Sequence, residues 1–485
     1  MTMNLHNDHR GSVMFQVLVF GAIALLFVGG LIAWASSNIR YGHNLYSREV
    51  ALDIAEAGIE YYRWHLAHSP VDYTDGTGAP GPYVHPYNDI NGKKIGRFEL
   101  TIVPPLIGST IVTVKSTGYL DAAPLVKRTL QTVLAKSTFA KYAVVANADM
   151  RFGGGTNIFG LVHSNGGIHF DGFTHNVMTS AKSEYTDPDH SGPPEFGVHT
   201  HNPPVDPVPP AAVPSRIDVF AVGRTFPVPA VDFTGITADL AGIKTDAQAA
   251  GIYLASSGRL GYHIVVKTND TMDIYRVTST VPAPSGCTNT QNQYGWGTWS
   301  IQNQNFLYNK PFPANAAIFV EDNLWIDGTI NGARLMFASG KFPEDPATDT
   351  SITVNANLKY TNFDGTDVIG LLAQGNINIG MVSATILEID AALIAKNGRV
   401  GRYYYQGASG GQNHCSPYDN RNTLTLYGMI ITNQRYGFAY TGTSGGTGLG
   451  YAIRHINYDA NLLYSPPPYF PLTASQYIIL SWKEL

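Results

Sequence analysis

Apolar residues run without a charge from Ser12 to Ile39, and beyond Arg40 they thin into a repeating stripe. As a helix, SVMFQVLVFGAIALLFVGGLIAWASSNI rises about 1.5 Å per residue, reaches roughly 40 Å and spans a hydrocarbon core of about 30 Å. In the next stretch Leu52, Ala55, Ile59, Tyr62 and Leu66 step by three and four, while Glu49, Asp53, Glu56 and Glu60 fall largely off that stripe. No proline interrupts 40–68; Gly42 and Gly58 weaken the helix locally, and Ser69-Pro70 ends it. The pattern predicts one rod over 12–69, transmembrane over about 12–38 and amphipathic over about 40–68. A cleaved secretory signal competes through Ala33-Trp34-Ala35 ahead of Ser36. Against it, the apolar run exceeds the ~7–15 residues of such signals, and Asp8 offsets Arg10 in the leader.

Residues 70–92 are crowded with Pro, Gly, Asp and Asn and read as loop. Three alternating runs follow at 96–105, 109–120 and 126–136, predicting a small antiparallel sheet over 93–137. Beyond Ala140, short apolar runs recur between Asn-Gly and Gly-Asn corners, as in 157–172, 317–340, 367–382, 386–401 and 423–434. Such runs suit an irregular parallel β-helix over 138–202 and 313–485, with Leu371-Leu372 and Leu393-Ile394 as stacked core. Asn-Gly is equally a hairpin signal, which leaves a sandwich as the alternative. Residues 203–312 break the texture and read as an α/β insertion. They hold a proline-rich connector, a helix with Ile236, Leu240 and Ile243 on one face before Gly251, and a hairpin turning at Asn269-Asp270. The fold class is α+β, then mostly β. The closing segment 458–482, with its prolines and aromatics, is expected to dock across a sheet and hide an exposed edge.

Composition sharpens this little. The 485 residues are 44% hydrophobic and 14% charged, enough for a large core in two or three units. A net charge of −5 offers no electrostatic footprint for nucleic acid. Cys287 and Cys415 are the only cysteines, and no Cys/His spacing suggests structural zinc. A disulfide outside the cytoplasm and two separate thiols both remain open.

Chemistry is sparse. His163, His169, His175, His190, His199 and His201 crowd 163–201 with Asp171, Asp187 and Asp189, and His199-x-His201 presents both rings to one side of an extended chain. No further ligand stands at a firm spacing, so surface loop histidines and no metal are the expectation. Glu321, Asp322, Asp345, Asp349, Asp364 and Asp367 sit in loops where solvated acids are ordinary. G-x-S-x-G, phosphate-loop and HExxH motifs are absent, so no catalytic residue and no cofactor are assigned.

The polar leader ending in Gly11, the uncharged helix and the segment VALDIAEAGIEYY together resemble type IV pilins and pseudopilins, especially large minor pilins of the PilX-like kind. The resemblance implies a leader of residues 1–11, cut by a prepilin peptidase between Gly11 and Ser12. It implies a subunit held in the cytoplasmic membrane, its body outside the cytoplasm, that assembles with other pilin-like subunits through the helix. Members usually begin the mature chain with Phe or Met and carry Glu at its fifth position; Ser12 and Gln16 stand there instead. A lone carboxylate in lipid is costly, and Gln16 supplies no charge to pair with a neighbour's N-terminus. By analogy with pilin-like subunits that lack this glutamate, the resemblance implies a minor, tip-proximal subunit; Gln16 as a simply tolerated polar residue is the equal alternative. An adhesin binding surface glycans and a membrane-anchored glycan-active enzyme are the alternatives.

Overall fold

The computed structural model describes residues 10–136, 138–233, 239–406, 414–441, 447–470, 472 and 476–485. Residues 1–9 of the expected leader, the side chain of Ser12, and Ile236 lie outside them. Two compact units form. The first takes the chain up to Pro104, Val112–Ala135 and Gln476–Leu485; the second takes Pro105–Ile111 and Lys136–Ser475.

Helix α1, Arg10–His68, is continuous over 59 residues. Its surface changes abruptly. Residues 13–46 are all exposed, whereas Ala51, Ile54, Ala55, Ile59, Tyr62 and Leu66 are fully buried. The predicted stripe is thus the buried one, except that Leu52 is only half-buried at its edge.

That stripe packs on an antiparallel sheet of β1 (Tyr83–Asn88), β2 (Lys94–Val103), β3 (Val112–Leu120) and β4 (Lys127–Ala135), completed beside β4 by the C-terminal strand Ile478–Glu484. Alternation supplies the buried face: Phe98 and Leu100 from β2, Val112 and Val114 from β3, Leu130 and Leu134 from β4. Two glycines set how close helix and sheet come. A Cβ on Gly118 would lie 2.2 Å from the Ala51 carbonyl oxygen and 2.5 Å from the Ala55 nitrogen. One on Gly58 would lie 2.2 Å from the Ser116 hydroxyl. The glycine of AEAGI therefore costs helix propensity but permits contact.

Strand β1 lies within the segment read as loop. Its Pro86 cannot donate to a ladder, and β1 accommodates it as an edge strand.

The second unit winds parallel strands into a β-helix-like coil. One ladder runs, in spatial order, through Ile252–Leu254, Ala317–Val320, Arg334–Ser339, Val368–Ala373, Ile386–Ala395, Asn420–Thr432, Val144–Ala146, Val162–Ser164 and Met178–Ser180. A second runs through Gly261–Val266, Leu324–Ile330, Leu358–Tyr360, Ile386–Ala395, Asn420–Thr432, Thr447–Tyr458, Thr156–Phe159 and Phe173–Thr174. Shorter third-face ladders join Ile352–Thr353, Ile377–Ile379 and Val400–Arg402, and separately Met150–Phe152, Ile168–Phe170 and Val198–His199. Spatial order is not chain order. The chain enters mid-stack at Val144, winds to one end, returns, and winds in again from Ile252 until Ile430 pairs with Val144.

Within the first ladder the two predicted apolar pairs stack in register, Leu371 on Leu393 and Leu372 on Ile394, but they face opposite ways. Leu371 and Leu393 continue an inner column through Ile252, Ile318, Phe337, Ile430, Val144, Val162 and Met178. Each such side chain contributes roughly 1.5–3 kcal/mol of burial. Leu372 and Ile394 lie outside, covered by helix α2 (Asp239–Ala250) through Leu240, Ile243 and Ala247. Phe470 covers the same face, and the Arg334 guanidinium donates to the carbonyl oxygens of Ser465 and Pro466. The proline-rich ending therefore covers a face of the coil, and the strand after it takes the edge of the first unit's sheet. From the segment 203–312, Ile252–Leu254 and Gly261–Val266 are rungs of the coil, while Thr271–Thr280 and Ile301–Pro311 extend it antiparallel after a turn with Asp270 at φ 61°.

Candidate functional sites: a bare apolar helix and a histidine–carboxylate cluster

The first site is the uncovered part of α1. Its best 18-residue window has a mean hydropathy of 2.5 and none of it is buried. By length and composition it is able to cross a membrane. Gln16 is exposed on this stretch, and a Cβ at Gly21, Gly29 or Gly30 would meet nothing within 4 Å. These glycines leave room for another helix to approach closely.

The second site is on the coil. Ile168–Phe170 and Val198–His199 are parallel neighbours, with His169 opposite His199 and Arg151 opposite His169. Ile168 and Val198 face the core, so alternation turns His169 and His199 outward. A short antiparallel pairing of Glu184–Tyr185 with Glu195–Phe196 brings Asp187, His190 and Glu195 to them. His169 and His199 are 1% and 0% exposed, so they are not the surface histidines expected from sequence. His190 and His201 are partly exposed.

Two kinds of contact coexist in the cluster. His169 Nδ1 lies 2.6 Å from Asp187 Oδ2 and its Nε2 lies 2.9 Å from Asp171 Oδ2, both at hydrogen-bond length. Asp187 also accepts the Asp189 amide at 2.9 Å. Elsewhere the spacing is longer: 3.4 Å from His190 Nε2 and 3.5 Å from His199 Nε2 to Asp187, and 3.7 Å from His190 Nε2 and 3.5 Å from His201 Nε2 to Glu195. Neighbouring groups hold the frame. Asp171 accepts the His201 amide at 2.9 Å, and Asp206 accepts the Thr200 amide at 3.1 Å.

Burial alone would raise the Asp187 carboxyl, but the hydrogen bond from His169 and the nearby His199 imidazole outweigh it and hold the group well below the usual carboxylate range. His169 is pulled down by burial yet raised overall by Asp171 and Asp187. Burial and the neighbouring imidazoles lower His201 and favour its neutral ring.

The side chains of the remaining histidines and acids make their contacts outside this cluster. His163 bonds Thr179 and Asn165, and His175 stacks on Phe159. Asp189 pairs with Arg151 and Arg435. Glu321, Asp322, Asp345, Asp364 and Asp367 are taken up by local hydrogen bonds. Asp349 accepts Asn397 at 2.9 Å and lines a cleft of about 1110 Å³ with Trp299, Tyr294, Tyr404, Tyr440 and Arg399. Cys287 and Cys415 are joined in a disulfide, packed among Met381, Tyr403 and Tyr405.

What sequence reasoning missed were Glu195 and the hairpin that delivers His190. The shared parity of His199 and His201 was the one signal available.

No protein-family model matches the sequence, and no curated protein matches it. Among solved structures the chain is similar to the competence-associated pilin ComZ from Thermus thermophilus. The identity is 13% and the TM-score 0.28, over 90% of this chain and 98% of that one.

Proposed function

We propose that the chain is a minor type IV pilin-like subunit. A prepilin peptidase cut between Gly11 and Ser12 removes its leader, and residues of about 12–38 hold it in the cytoplasmic membrane until it is extracted into a filament. The bare helix then packs laterally against other pilin-like subunits, at or near the tip of a pilus or pseudopilus. The coil is the displayed body, outside the cytoplasm and at the cell surface after assembly, and the chain acts as a structural protein rather than an enzyme. One observation carries this reading. A single helix passes from wholly exposed and apolar to fully embedded in a small antiparallel sheet, with no break near residue 50. A helix so divided needs lipid or neighbouring helices for its first half. Gln16 leaves the helix uncharged, which suits a position where no neighbour's N-terminus needs a partner. The N-terminal residue of the mature chain tests it: Ser12 is expected, and Gly11→Ala should leave the leader attached and the subunit out of filaments. A mature chain beginning at Ser36 would sink the reading.

A second, compatible reading is adhesion. The cleft lined by Trp299, Tyr294, Tyr404 and Tyr440 beside Asp349 and Arg399 offers flat rings and hydrogen-bonding groups of the kind that hold a glycan. Binding to a panel of surface polysaccharides should fall at least tenfold in Trp299→Ala. Equal binding by both forms would count against the cleft.

A further inference from the structure

We propose that His190, His199, His201 and Glu195 form a site for one divalent transition-metal cation of the zinc class, with Asp187 at its inner side. The donor atoms of His190, Glu195, His199 and His201, one from each, lie within 4.8 Å of one another, and His169, Asp187, His190 and His199 satisfy the same limit. Zinc bonds nitrogen and oxygen at about 2.0–2.2 Å, so ligands on a tetrahedron stand roughly 3.3–3.6 Å apart. The separations of 3.4 to 3.7 Å among His190, His199, His201, Glu195 and Asp187 fall close to that spacing. They are too long for imidazole–carboxylate hydrogen bonds, of which His169 Nδ1 to Asp187 at 2.6 Å is the example in the same cluster.

The second observation is polar atoms without partners. Both ring nitrogens of His199, Nε2 of His190 and Oε2 of Glu195 are buried and make no hydrogen bond. His199 is 0% and Glu195 5% exposed, so water is no ready substitute. Orphaned polar atoms in a dry site are costly, and a cation where the Nε2 atoms converge engages several at once. Three imidazoles and a carboxylate match a borderline cation such as Zn²⁺, not the all-oxygen shells of calcium or magnesium. His169 acts as a positioning residue. Its Nδ1 holds Asp187, with Asp171 Oδ2 standing 2.9 Å from its Nε2, and an imidazole bonded to a carboxylate in this way orients it beside a metal. Partly exposed His190 and His201 give the ion a way in. Because Val198–His199 is the edge strand of its ladder, the cation ties that edge to the hairpin covering it.

This inference does not depend on the pilin reading. The test uses the full chain purified in detergent, stripped with a chelator and titrated with Zn²⁺ against a chromogenic competitor. Co²⁺ absorption serves as a second readout. One equivalent per chain is expected, with the intense visible bands of four-coordinate cobalt. His201→Ala removes a partly exposed ligand without opening the core, and it should weaken binding at least tenfold and change the cobalt spectrum. His169→Gln should weaken binding about 10–100-fold by disorienting Asp187. His175→Ala, stacked on Phe159 outside the cluster, should change neither. The proposal fails if the wild-type chain binds less than one equivalent, or if His201→Ala and Glu195→Gln bind as the wild type does.

Discussion

In the first unit, one face of a helix lies on one face of an antiparallel sheet, and most of its partners are near in sequence. In the second, each rung covers the next, and the seam of the stack joins Asn420–Thr432 to Val144–Ala146, strands far apart in the chain. The first arrangement depends on how closely two backbones approach, which Gly58 and Gly118 set. The second depends on an unbroken inner column and on cross-links that hold distant segments in place. A methyl group added at the helix–sheet contact and a bond removed from the coil should therefore act on different units, by different physics.

Breaking the coil's cross-link should have the largest effect. The disulfide joins residues 128 apart, and loop closure on that scale is worth about 3–5 kcal/mol. Cys415→Ser should lower the coil's denaturation midpoint accordingly while leaving the helix–sheet unit's transition in place; a shift in both would show that the units do not unfold separately. Next, Gly118→Ala forces a Cβ against the α1 backbone and should destabilise the first unit by about 1–3 kcal/mol, read by hydrogen exchange of the β2, β3 and β4 amides. Unchanged exchange would mean that helix and sheet part more readily than their packing implies.

A third test concerns pH. Burial, opposed by the Tyr360 amide and reinforced by Glu388, pushes the Asp390 carboxyl up to about 7 from an ordinary 3.8. A carboxyl raised in the folded state contributes fully below pH 3.8, where both states hold the proton. That contribution is lost as pH rises towards 7, at no more than about 1.4 kcal/mol per pH unit. Asp390→Asn should flatten the coil's stability profile between pH 4 and 7, apart from the share of Asp459, which burial also raises. The smallest effect is expected at Ser116, whose buried hydroxyl has no hydrogen-bond partner beside Gly58. Ser116→Ala should stabilise the first unit by up to about 1 kcal/mol, and a clear loss would point to a bond that the hydroxyl makes in solution.

Legibility followed the range of the interactions. The stripe through Ala55, Ile59, Tyr62 and Leu66 was readable because helical period is a local property. So were β2, β3 and β4, which alternate in sequence. Strand β1 was hidden by Pro86, whose edge position emerges only once neighbours are placed. Ile478–Glu484 was hidden because its partner, β4, lies hundreds of residues earlier. In the coil, the apolar pairs Leu371-Leu372 and Leu393-Ile394 were visible, but which of each pair faces inward depends on what covers the outside, here α2.

The histidines divide the same way. The sequence alone determined that His199 and His201 share a side, because alternation along an extended chain needs no partner. It also determined the long uncharged helix and its amphipathic continuation, since both follow from periodicity and length. Only the tertiary structure decided that Asp187, His190 and Glu195 fold over that side, that His169 stands behind them, and that the coil closes on itself out of chain order. Those are contacts between distant segments, fixed by the packing of the whole core rather than by any local preference.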